Sequence, residues 1–167
     1  LSRPFRESNY EPEVLLVVPT HFKIWKIKGV FAGVGINHQS NGRERPYSRS
    51  WNRIIIHSGY EVNRLNITAR YWWRIYEQNN IDDNPGIDNY IGNTELILSY
   101  TKGRHKISLT ERHNLKFKET PRGSVQIDYS LRTLHNLKLH FQFFHGYGES
   151  MIDFNHKQTT FGIGVSI

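Results

Sequence analysis

Period-two alternation of apolar and polar side chains runs through nearly all of this chain and leaves little room for a helical fold. Leu65, Ile67, Ala69, Tyr71, Trp73 and Ile75 alternate with Asn66, Thr68, Arg70, Trp72, Arg74 and Tyr76. Val125, Ile127, Tyr129 and Leu131 alternate with Ser124, Gln126, Asp128 and Ser130; Leu137, Leu139, Phe141 and Phe143 alternate with Lys138, His140 and Gln142. Successive strand residues point to opposite faces, so each segment reads as a strand with one apolar face. With 96–100, 161–165 and the segments near 10–18, 29–40, 51–62 and 104–111, the pattern predicts nine strands.

The connections alternate as well. Short turns fall near Asn63-Arg64, Lys102-Gly103 and 132–136, and long polar loops at 41–50, 78–90, 112–123 and 146–157. An up-and-down antiparallel barrel in an outer membrane has this rhythm, with short turns on the periplasmic side and long loops outside. No apolar run reaches the roughly 18 residues of a transmembrane helix, and a mean hydropathy of −0.60 is what alternating barrel strands produce. The expectation is a single all-β domain over residues 1–167, an antiparallel up-and-down transmembrane β-barrel. Nine strands would leave unpaired edges that lipid does not tolerate, so the first strands are expected to be missing. Trp25, Trp51, Trp72, Tyr76, Tyr90 and Tyr100 are expected near strand ends as interfacial girdles. The rival architecture is a soluble β-sandwich that buries the same apolar face.

With no cysteine, disulfide, zinc-thiolate and thiol chemistry are excluded. The net charge is +7, yet the basic residues are dispersed, which argues against a nucleic-acid partner and for a solvated surface, a polar lumen or an anionic membrane.

Within this frame one group of residues carries chemistry. His38 and Ser40 lie two apart and share a strand face with Val30, Ala32, Val34 and Ile36; Asn52 shares one with Ile54 and Ile56. Positions 38 and 52 are symmetric about the loop centre at 45 and can pair across adjacent antiparallel strands. A serine needs a base to take its proton and the base needs an orienting group. All three groups lie in phase with the apolar residues at the long-loop end of their strands, and a lipid-facing site of this kind implies a lipid substrate.

The segment Asn37 to Arg53, N-H-Q-S-N-G-R-x-x-P-x-S-R-S-W-N-R, resembles the signature of bacterial outer-membrane phospholipase A. So do P-F-R-E-S-N-Y-E-P from Pro4, D-D-N-P from Asp82 and G-Y-G-E-S-M-I-D-F-N from Gly146, in the family's order. The resemblance implies a twelve-stranded barrel, of which about three leading strands and the signal peptide would be absent here, in the outer membrane of a Gram-negative bacterium. It implies calcium-dependent hydrolysis of phospholipid acyl esters by an active homodimer. Ser40 would be the nucleophile, His38 the base and Asn52 its orienting group, with the Gly42 N–H in the oxyanion hole. Calcium would be held by the Arg43 carbonyl, the Ser48 hydroxyl and the Ser2 carbonyl of the partner subunit, and a second, monomer-state ion by Asp83. Arg45 departs from the family, which often has an Asp there, and this predicts weaker calcium affinity. Asp82-Asp83-Asn84-Pro85 is also a good turn in its own right. Gly146 to Ser150 reads as loop architecture without a role for Glu149, and Trp72-Trp73 as packing. A barrel that keeps the fold without catalysis is the other functional alternative.

Overall fold

A computed structural model describes residues 7–78, 81–133 and 137–166. Its strands are β1 (Glu13–Pro19), β2 (Lys23–Ile24), β3 (Ile27–Ser40), β4 (Ser50–Val62), β5 (Leu65–Ile75), β6 (Thr94–Lys102), β7 (His105–His113), β8 (Gly123–Arg132), β9 (Lys138–Gly146) and β10 (Gln158–Ser166). Nine of them form one antiparallel meander in the order β1-β3-β4-β5-β6-β7-β8-β9-β10. The two-residue β2 is an addition to the expected set; it folds back on the start of β3, with Lys23 opposite Lys28. Two of the expected short turns, 63–64 and 103–104, are two-residue hairpins, and the third, 132–136, falls largely outside the described residues. Asn63 and Gly103 take the positive φ values, 55° and 60°, that such turns require.

The sheet is inside-out relative to a water-soluble protein. Val34 and Ile36 of β3, Ile54 and Ile56 of β4, Trp73 and Ile75 of β5 and Phe141 of β9 are all exposed, and Phe161 and Ile163 of β10 are 80% and 83% exposed. Arg53 and Arg74 on the opposite face are each only 6% exposed. Leaving a side chain of this size in water forgoes about 1.5–3 kcal/mol of burial, a loss that hydrocarbon does not impose. The apolar phase read from the sequence is therefore the outer, lipid-facing surface.

The inner face carries paired charge. Arg53 donates to Glu11 (2.6 Å) and Asn37 (3.0 Å), Arg70 pairs with Glu13, Arg112 with Glu95 (2.7 Å) and Arg74 with Asp82 (2.7 Å). The Arg70–Glu13 contact joins β5 to β1, three strand spacings apart. Strands lie about 4.7–4.9 Å apart, so only a curled sheet lets these side chains meet. At the long-loop end Glu7 accepts hydrogen bonds from the backbone N–H of Met151 (2.8 Å) and Ile152 (2.9 Å), linking the segment before β1 to the loop before β10. β1 and β10 are nevertheless the edges of an open sheet, with no pairing between them among the described residues.

Loop 78–90 leads into a short helix, α1 (Ile87–Ile91), which periodicity did not predict. Its Ile87 and Ile91 join Met151 and Phe154 from the loop before β10, packing on Trp51, Ile55 and Trp72. Trp51 and Trp72 thus correct the girdle expectation. Both point inward into this plug, with ring centroids 6.5 Å apart, and the Arg53 guanidinium lies 4.3 Å from the Trp51 ring. Trp25 and Tyr76 are exposed, as girdle residues would be, whereas Tyr90 packs against the plug.

Candidate active site

The β3–β4 ladder places His38 directly opposite Asn52 and Ser40 opposite Ser50. His38 Nδ1 and Asn52 Oδ1 are 2.8 Å apart. An amide oxygen only accepts, so Nδ1 carries the proton and Nε2 is left with its lone pair. Ser40 is two residues further along the same face, roughly 6.5–7 Å away at the α-carbons. No hydrogen bond joins its hydroxyl to His38 among the described residues. Beside the pair, Pro12, Val14, Ile36 and Ile75 line a groove of about 350 Å³ with His38 and Asn52. Asn37 and Arg53 also line it, and its apolar residues Val14, Ile36 and Ile75 are exposed on the lipid-facing side.

The backbone around Ser40 is held from both sides. Its N–H donates to Tyr10 O (2.9 Å) and its carbonyl accepts from Tyr10 N–H (2.8 Å), while His38 N–H donates to Pro12 O (3.0 Å). The segment before β1 therefore extends the ladder under the site. Past Ser40 the chain turns at Gly42, whose φ of +60° is costly for a residue with a Cβ. A Cβ there would also stand 2.8 Å from the Tyr10 ring. The Gly42 N–H donates to no acceptor among the described residues, so it is available to an anionic oxygen.

Asn41, fully buried, organises the loop that follows. Its Oδ1 accepts from Arg43 N–H (3.3 Å) and Arg49 N–H (2.9 Å), and its Nδ2 donates to Tyr47 O (2.8 Å) and Glu7 (3.4 Å). That arrangement brings Ser48 to Asp83: the Ser48 hydroxyl donates to Asp83 Oδ2, and Ser50 N–H donates to Oδ1 (3.0 Å). The Ser48 hydroxyl and the Asp83 carboxylate are oxygen donors of the kind calcium takes, and the Arg49 guanidinium donates to the Ser48 carbonyl (2.6 Å) and the Asp83 carbonyl (3.4 Å) beside them. Arg43 is half-buried at the base of this loop. Arg45 is exposed and reaches across to the Ile81 carbonyl (2.9 Å), two residues from Asp83. Ser2 lies outside the described residues. Tyr76, just past β5, donates to Asp88 (3.0 Å); lost hydration and the Asp88 charge hold its phenol above the ordinary value. Glu149 accepts from Gln158 (2.6 Å) and Thr160, bracing the start of β10.

Three residues of the site were not singled out in the sequence. Asn41 had a local signal, an Asn-Gly pair at the end of a strand. Glu7 had none, since its backbone partners lie 144 and 145 positions away. Glu77 had a register signal, since a two-residue turn at 63–64 sets Asn52 opposite Ile75, two residues before it; it accepts from Asn52 Nδ2 at 3.2 Å.

The model of the phospholipase A1 family matches residues 1–167. The chain belongs to the phospholipase A1 family. A Neisseria meningitidis relative is 39% identical over 167 residues, covering 98% of this chain and 43% of its own length. Phospholipase A1 of Escherichia coli K12 is 36% identical over 168 residues, covering 99% of this chain and 55% of its own. The chain thus spans about half the length of the curated phospholipases A1 it matches. Among solved structures, the outer membrane phospholipase A of Escherichia coli superposes with a TM-score of 0.89 at 34% identity, over 97% of this chain and 61% of that one. A Salmonella typhi outer membrane phospholipase, a dimer with bound calcium, gives 0.87 at 34% identity over the same shares. The fold of this member of the family is accordingly that of the outer-membrane barrel, seen as an open sheet, and its apolar outer face belongs in the Gram-negative outer membrane.

Proposed function

We propose that this protein hydrolyses phospholipid acyl ester bonds in the outer membrane as a calcium-dependent phospholipase A1/A2 and lysophospholipase. Ser40 is the nucleophile, His38 the general base, Asn52 the group that orients it and the Gly42 N–H an oxyanion donor. The observation that carries the reading is the 2.8 Å His38–Asn52 contact on the lipid-facing surface, beside a largely apolar groove able to take an acyl chain. His38 Nε2 accepts the Ser40 proton as Oγ attacks the ester carbonyl. Gly42 N–H donates to the oxygen that becomes negative, and Asn52 Oδ1 steadies the imidazolium through Nδ1–H. His38 then gives the proton to the departing lysophospholipid oxygen. Water attacks the acyl-Ser40 ester in the second half, losing its proton to His38, which returns it to the departing Ser40 Oγ as the fatty acid is released.

The Ser48 hydroxyl, the Arg43 carbonyl and the Ser2 carbonyl of the partner subunit would hold calcium in an active homodimer, with Asp83 serving a second ion. The all-oxygen character of Ser48 and Asp83 supports this, as does the calcium in the Salmonella relative. Bound calcium supplies positive charge for the developing oxyanion. A two-chain active form suits an enzyme that resides in its own substrate, and the apolar outer face is a surface on which a second copy can pack.

The test is fatty-acid release from mixed micelles by the intact protein, with calcium and with chelator. Ser40→Ala should be inactive while keeping the heat-modifiable gel migration of a folded barrel. A folded Ser40→Ala protein that turns over like the parent overturns the reading.

A further inference from the structure

We propose that Glu77 is a positioning residue of this site, and that its carboxylate sets the orientation of the Asn52 amide and through it the tautomer of His38. The inference rests on the catalytic reading above. An asparagine amide is nearly symmetric in shape, and a 180° flip exchanges its acceptor for its donor. Nothing in His38 alone selects the productive orientation. If Asn52 presented its NH₂ to Nδ1, the ring would carry its proton on Nε2, and the nitrogen facing Ser40 could not accept one. Glu77 removes this ambiguity because an ionised carboxylate only accepts. It takes Nδ2–H at 3.2 Å, which turns Oδ1 toward His38 Nδ1 at 2.8 Å.

The placement of Glu77 fits this role. It stands two residues beyond the end of β5, and Ile75, the last residue of that strand, is the register partner of Asn52. The side chain is half-buried. Asn52 is its one hydrogen-bond partner among the described residues. The relay Glu77–Asn52–His38 runs from just past the end of β5 across β4 to β3, and a carboxylate held this near acts on the imidazolium formed during turnover. Among the described residues Glu77 is hydrogen-bonded to neither Ser40 nor any groove-lining residue other than Asn52, so its effect should appear in kcat and leave KM in place.

The discriminating experiment is a set of variants of the intact protein, assayed for fatty-acid release from mixed micelles at saturating calcium, with barrel folding followed by heat-modifiable migration. Glu77→Ala should lower kcat by about 10-fold or more with KM little changed, short of the ~10⁴-fold loss that a wrong imidazole tautomer costs a serine hydrolase. Asn52→Asp should place two carboxylates face to face and be impaired. Asn52→Asp combined with Glu77→Gln restores a donor facing an acceptor, and should exceed Asn52→Asp alone by about 10-fold or more, the scale on which a buried like-charge contact is relieved. A residue that merely braced the loop would give no such rescue. A folded Glu77→Ala protein with parental kcat, or a double variant no better than Asn52→Asp, overturns the proposal. Should Glu77→Ala fail to fold, the near-isosteric pair of variants still decides it. Ser40→Ala in the same series separates the two readings. If Ser40→Ala is inactive and the Glu77 series is flat, only the positioning role falls; if Ser40→Ala is active, the catalytic reading itself falls.

Discussion

Asn41→Ala tests how the site is held together without touching any group that does chemistry. The substitution removes the acceptor for Arg43 N–H and Arg49 N–H and the donor to Tyr47 O, three bonds within the loop at 3.3, 2.9 and 2.8 Å, together with the long 3.4 Å bond to Glu7 outside it. At a net value of about 1 kcal/mol per hydrogen bond, the loop would lose about 3 kcal/mol if water replaced none of them. Much of 41–50 is exposed, so water recovers a part and about 1–2 kcal/mol remains, a factor of roughly 5–30 in the population of the ordered loop. That loop carries the Gly42 N–H and Ser48. The expected result is therefore a kcat lowered roughly 5–30-fold, below the ~10²–10³ ceiling set by complete loss of an oxyanion donor. KM and the unfolding temperature should move little, because the groove and the strand ladder are unchanged. The assay is steady-state fatty-acid release at saturating calcium, paired with thermal unfolding in the same micelles. Parental kcat in a folded Asn41→Ala protein would show that the Gly42 turn stands without this asparagine and would refute the argument.

Three further expectations follow from the same geometry. Asn52→Ala should be milder than His38→Ala, since in the proposed mechanism Asn52 only orients the base whereas His38 moves the proton; turnover numbers at saturating calcium compare them, and a larger loss at Asn52 contradicts the assignment. Ile56→Arg, at an outward position midway along β4, should cost about 2–4 kcal/mol in bilayers, the range for a cation at the midplane of a barrel's lipid face, measured by denaturant unfolding in vesicles; an unchanged midpoint would mean this face does not meet lipid. Arg45→Asp should lower the calcium concentration for half-maximal activity, because it removes a positive charge held two residues from Asp83; the effect should shrink with added salt, and an unchanged or higher requirement speaks against a cation beside this loop.

Much of this protein is legible in the chain because strand geometry is local. Alternation at Leu65 to Ile75 or Val125 to Leu131 determines which residues share a face whatever surrounds them. The symmetry of 38 and 52 about the loop centre was enough to put His38 opposite Asn52, since hairpin register follows from loop length. What alternation left open is which inward residues meet. Trp51 and Trp72 alternate as strand residues do, and only the folding-in of α1 and the loop before β10 made them a plug. Glu7 reaches Met151 and Ile152 because of how the terminal segment and the last loop travel once the sheet has curled, and Glu77 reaches Asn52 from just past Ile75, the register partner of Asn52. The Glu7 path depends on groups brought together from far apart in the sequence, and no periodicity encodes it. Sequence alone therefore determined the nine main strands, the apolar face of each and the Ser-His-Asn candidates, and the tertiary structure decided that this face is the outer one and how loops and distant carboxylates hold those residues in place.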